Sequence, residues 1–307
     1  MNSFRYLAAL LSMPWAMEPT AMASYAAILA RGYARREGIL ASAHELAERD
    51  PIEPKAARSS SPGARQGSIA LIQVFGAMVQ RASQLGPCEG GTGTEDISNA
   101  LRAAMADETV SQILIEFDTP GGSVFGVGEL AAQINAARAQ KPVVGIANSM
   151  AASAGYWLLS QCSEAYCTPG GMVGSIGVYG AHEDISKALD AAGVNVTLIS
   201  AGKYKTEGNP FAPLDDEARA NMQASMDSYY AMFTKAIAKG RGVGIDQVRD
   251  GMGQGRVVQA DAALAAGMVD GIATRSEVIQ KMARNQQAQR SSRSSLVAAR
   301  NELDLLA

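Results

Sequence analysis

A serine among small residues is the first position in this chain that could do chemistry. Ser153 stands in "MAASAGYWLLS" (150–160), after the β-type run "VVGIA" (143–147) and before an apolar, aromatic stretch. This pattern predicts a turn from strand to helix, where the first helical N–H groups can bind negative charge. The small neighbours would let a substrate backbone come close to a nucleophile. A serine that only caps the helix gives the same pattern, so both interpretations stay open here.

A glycine pair in "FDTPGGSV" (117–124) follows another apolar run, "ILIEF" (113–117). Adjacent glycines after a strand allow backbone N–H groups to point into a cleft, although Pro-Gly-Gly also occurs as a simple turn. Because a serine follows one strand–helix unit later, the glycines become a candidate oxyanion hole, a set of donors for the charge that develops during acyl transfer.

A serine nucleophile also needs a base, and the chain has only two histidines, His44 and His182. A lysine amine can replace histidine where burial lowers the pKa of the amine. Lys203 and Lys205 lie in the polar loop "SAGKYKTEGNP" (200–210). Loop lysines are ordinarily solvated charges, so the loop alone does not identify a base.

The elements that must position these residues alternate between strand and helix. Two further β-type runs are "IALIQVF" (69–75) and "VTLI" (196–199), and helical patterns fill "DISNALRAAMA" (96–106) and "VGELAAQINAARAQ" (127–140). The alternation predicts an α/β domain with a layered, largely parallel sheet. 

A long helix is predicted after Pro213, and Gly240 is expected to end it. Its large apolar residues recur at helical spacing and predict a core face or a subunit interface: Met222, Met226, Tyr229, Tyr230, Phe233 and Ile237.

Four regions are predicted along the chain. Residues 1–48 read as a helical N-terminal arm, and 49–67, rich in proline and serine, as a linker. Residues 68–275 are expected to form the α/β domain, and 276–307 a polar, partly disordered tail with room for a short last helix. The first residues resemble a secretory signal peptide, with "YLAALLSM" and a small-residue "AMA", but Pro14 interrupts the apolar run and favours the arm.

Composition excludes several classes of function. The net charge is -3 without a basic block, which argues against nucleic-acid binding. No apolar run is long enough for a transmembrane anchor. The three cysteines lack zinc-type spacing, and Cys162 and Cys167 are predicted to be small buried hydrophobes.

Five segments in order resemble the signal peptide peptidase A family of Ser-Lys peptidases: "DTPGGSV", "SMAASAGYW", "GSIGV", "SAGKYKTEGNP" and "GRVVQADAALAAGMVDGI". "PWAMEPTAM" and "KTEGNPFAPLDDEAR" are similar to its phage head-maturation branch, the minor capsid protein C type. The resemblance spans residues 67–275 strongly and the arm weakly. It implies a Clp-protease/crotonase-like ββα superhelix.

The resemblance also implies roles for individual residues. It makes Ser153, and not Ser149, the nucleophile. It makes Lys205 the general base and leaves Lys203 a solvated neighbour. 

Three more positions follow from the same motifs. Ser175 would orient the lysine amine, and the Gly122 and Ala154 amides would form the oxyanion hole. The resemblance implies neither metal nor cofactor.

The predicted function is a serine endopeptidase that processes capsid or scaffold proteins in phage head maturation. Single-copy members of the family form rings whose sites can combine neighbouring subunits, so a homo-oligomer is expected. The expected location is the host cytoplasm or the prohead. The alternatives are a cellular enzyme that degrades signal peptides, an acyl-coenzyme A-binding crotonase-like protein, and an inactive structural protein of the head shell.

Overall fold

A computed structural model describes residues 14–17, 22, 68–81 and 91–288. The strands are β1 (Trp15–Met17), β2 (Ser68–Phe75), β3 (Ala77–Val79), β4 (Gly91–Gly93), β5 (Val110–Thr119), β6 (Gly121–Ser123), β7 (Val143–Ala152), β8 (Glu164–Cys167), β9 (Met172–Gly174), β10 (Val257–Gln259) and β11 (Gly271–Ile272). The helices are α1 (Thr94–Ala106), α2 (Val127–Ala137), α3 (Ala154–Leu159), α4 (Ser186–Ala191), α5 (Asp216–Arg241), α6 (Ile245–Gly251), α7 (Ala260–Ala265) and α8 (275–288).

The main sheet has the order β10-β9-β7-β5-β2, and β8 pairs with both β7 and β11. All of its pairs are parallel except β9 with β10. The central strands are apolar runs because helices or chain segments cover both of their faces. The predicted α/β class with a largely parallel sheet is confirmed.

A second, smaller sheet has the order β1-β6-β3-β4. Strand β1 pairs antiparallel with β6, opposite Gly121, Gly122 and Ser123. The helical prediction for the N-terminal arm is therefore wrong for Trp15–Met17, and the rest of the arm and the 49–67 linker lie almost entirely outside the described residues. A sequence signal for the strand existed, because Pro14 and Pro19 flank the segment and proline is excluded from helix interiors.

The predicted helices α1 and α2 are confirmed, and Leu130, Ile134 and Ala137 of α2 are buried as their spacing indicates. The long helix α5 is confirmed too, although it ends at Gly242 rather than Gly240. Gly242 has a left-handed conformation that caps the helix. Near its end, Phe233 stacks on Trp157 with ring centroids 4.5 Å apart, which ties α5 to α3.

One predicted strand is absent beyond the central strands, and the predicted tail begins with a helix. Residues 196–199 form no strand, and Ile199 is 96% exposed. The predicted tail is helical from 275 to 288, and Val278 and Met282 are buried against Leu114 and Ile146 of the sheet. The domain therefore continues past residue 275, and residues 289–307 lie outside the described part.

Cys162 and Cys167 are buried, as predicted. Burial raises the pKa of the Cys162 thiol to about 12 and that of Cys167 to about 11. Both thiols therefore stay protonated and unreactive at neutral pH. Cys88 lies outside the described residues. Within the described ranges, no helix has both the length and the apolarity needed to cross a bilayer.

An ion pair joins the end of α5 to the main sheet. The Arg241 guanidinium donates to both oxygens of Asp270 at 2.7 and 2.9 Å, and the Ala165 N–H donates to the same carboxylate at 2.7 Å. Burial alone would raise the pKa of Asp270, but the hydrogen bonds from Arg241 and Ala165 outweigh burial and lower it. A lowered folded-state pKa stabilises the fold above the unfolded-state pKa, and this contribution is lost as the pH falls through the folded-state value.

We expect Asp270→Asn to lower the stability at pH 7 by about 1–2 kcal/mol, because Arg241 loses its charged partner. Thermal unfolding of both proteins at pH 7 and below about pH 4 tests this expectation. The difference in Tm should shrink in acid, where wild-type Asp270 also becomes protonated. The exposed Asp250 provides the matched control, Asp250→Asn. An Asp270→Asn Tm deficit that is equal at both pH values would contradict the assignment.

Candidate active site

Ser153 lies at the junction between β7 and α3, as the sequence predicts. Its backbone has φ 53° and ψ -116°, a positive-φ conformation that serine rarely adopts. The Ser153 N–H donates to the Gly174 carbonyl at 2.6 Å, and its carbonyl accepts from the Trp157 N–H at 2.9 Å. These two bonds hold a sharp strand-to-helix turn of the kind that exposes nucleophiles in hydrolases.

The Ser153 hydroxyl does not cap the helix. Ser153 occupies the N-cap position of α3, but its side chain accepts no hydrogen bond from the helix. The residue is 1% exposed, and its Oγ is buried without a hydrogen-bond partner. Because buried hydroxyls are ordinarily satisfied, an unpaired one at a strained turn is typical of a functional group. This geometry favours the nucleophile interpretation over the capping one.

The small residues around Ser153 serve packing. Ala152 and Ala154 are fully buried. A Cβ on Gly155 would lie 2.5 Å from the Thr119 Cγ2 atom. These residues let α3 approach the end of β5, and room for a substrate backbone beside them stays a prediction.

Gly121, the first glycine of the pair, lies beside Ser153. Gly121 has φ 98°, and a Cβ built on it would lie 2.9 Å from the Ser153 Cβ. A Cβ on Gly122 would lie 1.9 Å from the Met78 carbonyl oxygen, so strand β3 also excludes a side chain there. The Ala154 N–H belongs to the first turn of α3, where backbone donors have no partner within the helix.

Ser175 is brought next to Ser153 by the strand register. Ala152 of β7 is paired in parallel with Gly174 of β9, and the two serines each follow one of these paired residues. Ser175 also has φ 53° and is 5% exposed. Its N–H donates to the Arg256 carbonyl at 2.8 Å, which anchors the turn. The serine predicted to orient the base is therefore held at the same edge of the sheet as the predicted nucleophile.

Lys205 is not brought to Ser153 within one chain. It is exposed, in a turn that follows the unpaired segment 194–200, and the Ser153 Oγ has no partner. Its neighbour Lys203 donates to the Tyr204 hydroxyl at 2.7 Å and to Glu217 at 2.9 Å. These hydrogen bonds raise the pKa of Lys203, which keeps it charged and unsuited to act as a base. Of the two loop lysines, only Lys205 remains a candidate.

Sequence reasoning missed one component of this region, the strand β1. The Ala16 carbonyl oxygen lies 2.2 Å from the Cβ position built on Gly121, the same position that approaches Ser153. On its other side, Trp15 exchanges two backbone hydrogen bonds with Tyr179, at 2.9 and 3.1 Å. The segment is thus held between the glycine strand and the residues that follow Ser175.

Comparison with known proteins identifies the family. The profile of Peptidase family S49 matches residues 135–289, a range that contains Ser153, Ser175 and Lys205. The chain belongs to peptidase family S49. Membership confirms the predicted resemblance to the signal peptide peptidase A-like family of peptidases.

Similar proteins within the S49 family come from phages and bacteria. The chain is 32% identical to the capsid assembly protease C of Escherichia phage lambda, over 76% of this chain and 52% of that protein. It is 32% identical to the head-tail preconnector protein GP5 of Enterobacteria phage P21, over 70% of this chain and 42% of that protein. Protease 4 of Salmonella typhi is 30% identical over 73% of this chain and 35% of its own length. The chain thus spans about half the length, or less, of these S49 relatives.

Proposed function

We propose that this S49 chain is a serine endopeptidase that processes capsid or scaffold proteins during phage head maturation. The observation that carries the proposal is the buried, unpaired Ser153 hydroxyl on a strained turn beside Gly121 and Gly122. A hydroxyl in this position can attack a carbonyl whose oxygen is held by backbone N–H groups. The choice of substrate is supported by the phage lambda relative, whose name is capsid assembly protease C.

In this proposal each residue has one role. Ser153 attacks the scissile carbonyl, and the Gly122 and Ala154 N–H groups hold the developing oxyanion. Lys205 takes the serine proton and later gives it to the leaving amine, while Ser175 positions the lysine amine. The chemistry uses no cofactor.

A homo-oligomer is part of the proposal. The segment before Lys205 alternates apolar and polar residues, as a half-buried strand does, yet Val194, Val196 and Leu198 are 36–43% exposed and form no strand. A second copy that covers this segment would pair its backbone, bury its apolar side chains and enclose the Lys205 loop. A lysine amine acts as a base only in such a dry environment. We therefore infer that Lys205 of one copy completes the site of its neighbour.

The substrate class is tested by offering the purified chain two kinds of protein. We expect discrete fragments from a capsid or scaffold protein of the same phage, identified by mass spectrometry, and little attack on a signal peptide in detergent micelles. Rapid degradation of the signal peptide with intact head proteins would instead support the cellular signal-peptide role. Processing during head assembly would place the protein in the host cytoplasm, associated with the prohead.

A further inference from the structure

The N-terminal strand β1 is an extended segment paired with the glycine strand β6. Its backbone is bonded on both edges, with β6 on one side and Tyr179 on the other, and Trp15, Ala16 and Met17 are at most 1% exposed. Peptides that bind proteins as an added strand use the same main-chain bonding. The segment thus lies between β6 and the chain that follows Ser175, with bonded neighbours on both of its edges.

The hydrogen-bond register identifies the residue presented to Ser153. The Val124 N–H donates to the Pro14 carbonyl at 3.4 Å, which makes Pro14 and Val124 a bonded pair. Bonded pairs alternate along antiparallel strands, so the next one joins Ala16 with Gly122. In that pair the Gly122 N–H, a proposed oxyanion-hole donor, points to the Ala16 carbonyl oxygen. Trp15 fits this alternation, because its own N–H and carbonyl turn away to Tyr179.

A second observation places the same carbonyl beside the nucleophile. One point, the Cβ position built on Gly121, lies 2.2 Å from the Ala16 oxygen and 2.9 Å from the Ser153 Cβ. Ala16 is fully buried and small, and it belongs to the main apolar cluster of the domain. The Ala16 carbonyl and the Ser153 side chain thus border the same point next to Gly121, as a scissile carbonyl and a nucleophile would.

We propose that the chain's own N-terminal segment is a tethered substrate that closes the active site until the Ala16–Met17 bond is cut. The inference rests on the proposed peptidase function and adds an internal occupant and a cleavage position. It also explains why Ser153 is almost fully buried in a protein expected to attack other chains.

The cleavage balances as an ordinary acyl transfer. The Ser153 Oγ bonds to the Ala16 carbonyl carbon, the bond from that carbon to the Met17 nitrogen breaks, and the serine proton passes through the base to the new Met17 amine. Water then hydrolyses the Ala16 ester, which releases residues 1–16 as a carboxylate and restores Ser153. Departure of Trp15 and Ala16 vacates the edge of β6 for another polypeptide.

The cleavage is tested by intact-mass measurement of the purified full chain. Wild type should lose residues 1–16 and begin at Met17, whereas Ser153→Ala should keep them. Because the segment is tethered, dilution over a range in which light scattering shows the oligomer still assembled should leave the trimming rate unchanged. Ala16→Asp should block the cut by placing a charge in a buried position, and Ala16→Gly should preserve it. The exposed Ala103 of α1 provides the matched control, Ala103→Asp. A wild type that digests a head protein but keeps residues 1–16 would overturn the inference.

Occupancy is tested separately from catalysis by hydrogen exchange in the Ser153→Ala background. The Gly122 and Tyr179 amides should exchange about tenfold or more slowly in the full chain than in its Ala16→Asp derivative, with β5 amides as an unchanged reference. If the Gly122 and Tyr179 amides exchange equally fast in the two proteins, the proposal that the N-terminal segment occupies the site is rejected, even if peptidase activity is found. Protection at both amides in a chain whose wild type cleaves nothing would support the occupant and reject the peptidase function.

Discussion

Ser153→Ala should abolish peptidase activity, with a fall in kcat/KM of about 10⁴-fold or more, as expected for loss of a nucleophile. The hydroxyl it removes is buried and unpaired, so the change breaks no hydrogen bond of the fold. The thermal stability should therefore stay close to that of wild type. The measurement is the rate of cleavage of a head protein, together with covalent labelling by a fluorophosphonate, which should attach to wild type only.

Ser149→Ala is the matched control for this variant. Ser149 lies four residues earlier on the same strand, also has a positive φ, and is exposed. Its activity and labelling should equal those of wild type. Undiminished cleavage by Ser153→Ala would reject the nucleophile, and a Ser149→Ala protein that loses the label would move the assignment to that residue. A wild type that takes no label would revive the acyl-coenzyme A-binding alternative.

The second prediction is that two inactive variants restore peptidase activity when they are mixed. Lys205→Ala and Ser153→Ala should each be inactive alone, because one lacks the base and the other the nucleophile. If the base comes from a neighbouring copy, a mixed assembly contains sites with an intact serine from one chain and an intact lysine from the next. Random mixing in equal amounts should then restore about a quarter of wild-type activity.

The controls for complementation use the neighbouring lysine and a charge-conserving change. Lys203→Ala should stay active, because Lys203 is engaged with Tyr204 and Glu217 at the surface. Lys205→Arg keeps the charge but cannot act as a base near neutral pH, so it should remain inactive. Light scattering should show that both variants still assemble. If they do and the mixture has no activity, the site is not shared between copies.

Predictions that depend on local backbone geometry were the successful ones. The apolar runs at 69–75, 113–117 and 143–147 form adjacent parallel strands. Parallel strands bring their carboxyl ends to one edge of the sheet, so the motifs that follow them meet there. The glycine pair and Ser153 could thus be grouped from their positions after predicted strands, whereas the strand before Ser175 was not predicted and only the family resemblance named that residue.

Elements that need a distant or external partner could not be predicted in the same way. The 196–199 run has the composition of a strand, but a strand forms only where another edge offers hydrogen bonds, and no described strand pairs with it. The helix 275–288 is mostly polar, and it buries Val278 and Met282 against the sheet. A short apolar segment such as Trp15–Met17 equally needed a partner, which proved to be β6.

The sequence by itself determined the family, the α/β class and the order of the candidate site residues, because each motif is a short stretch whose residue types reflect its own turn. Only the tertiary structure decided that the Ser153 hydroxyl caps nothing, that Lys205 lies away from it within one chain, and that the N-terminal strand covers the glycine pair. These three facts depend on which segments come together across long separations in sequence, and the spacing of residues along the chain does not record them.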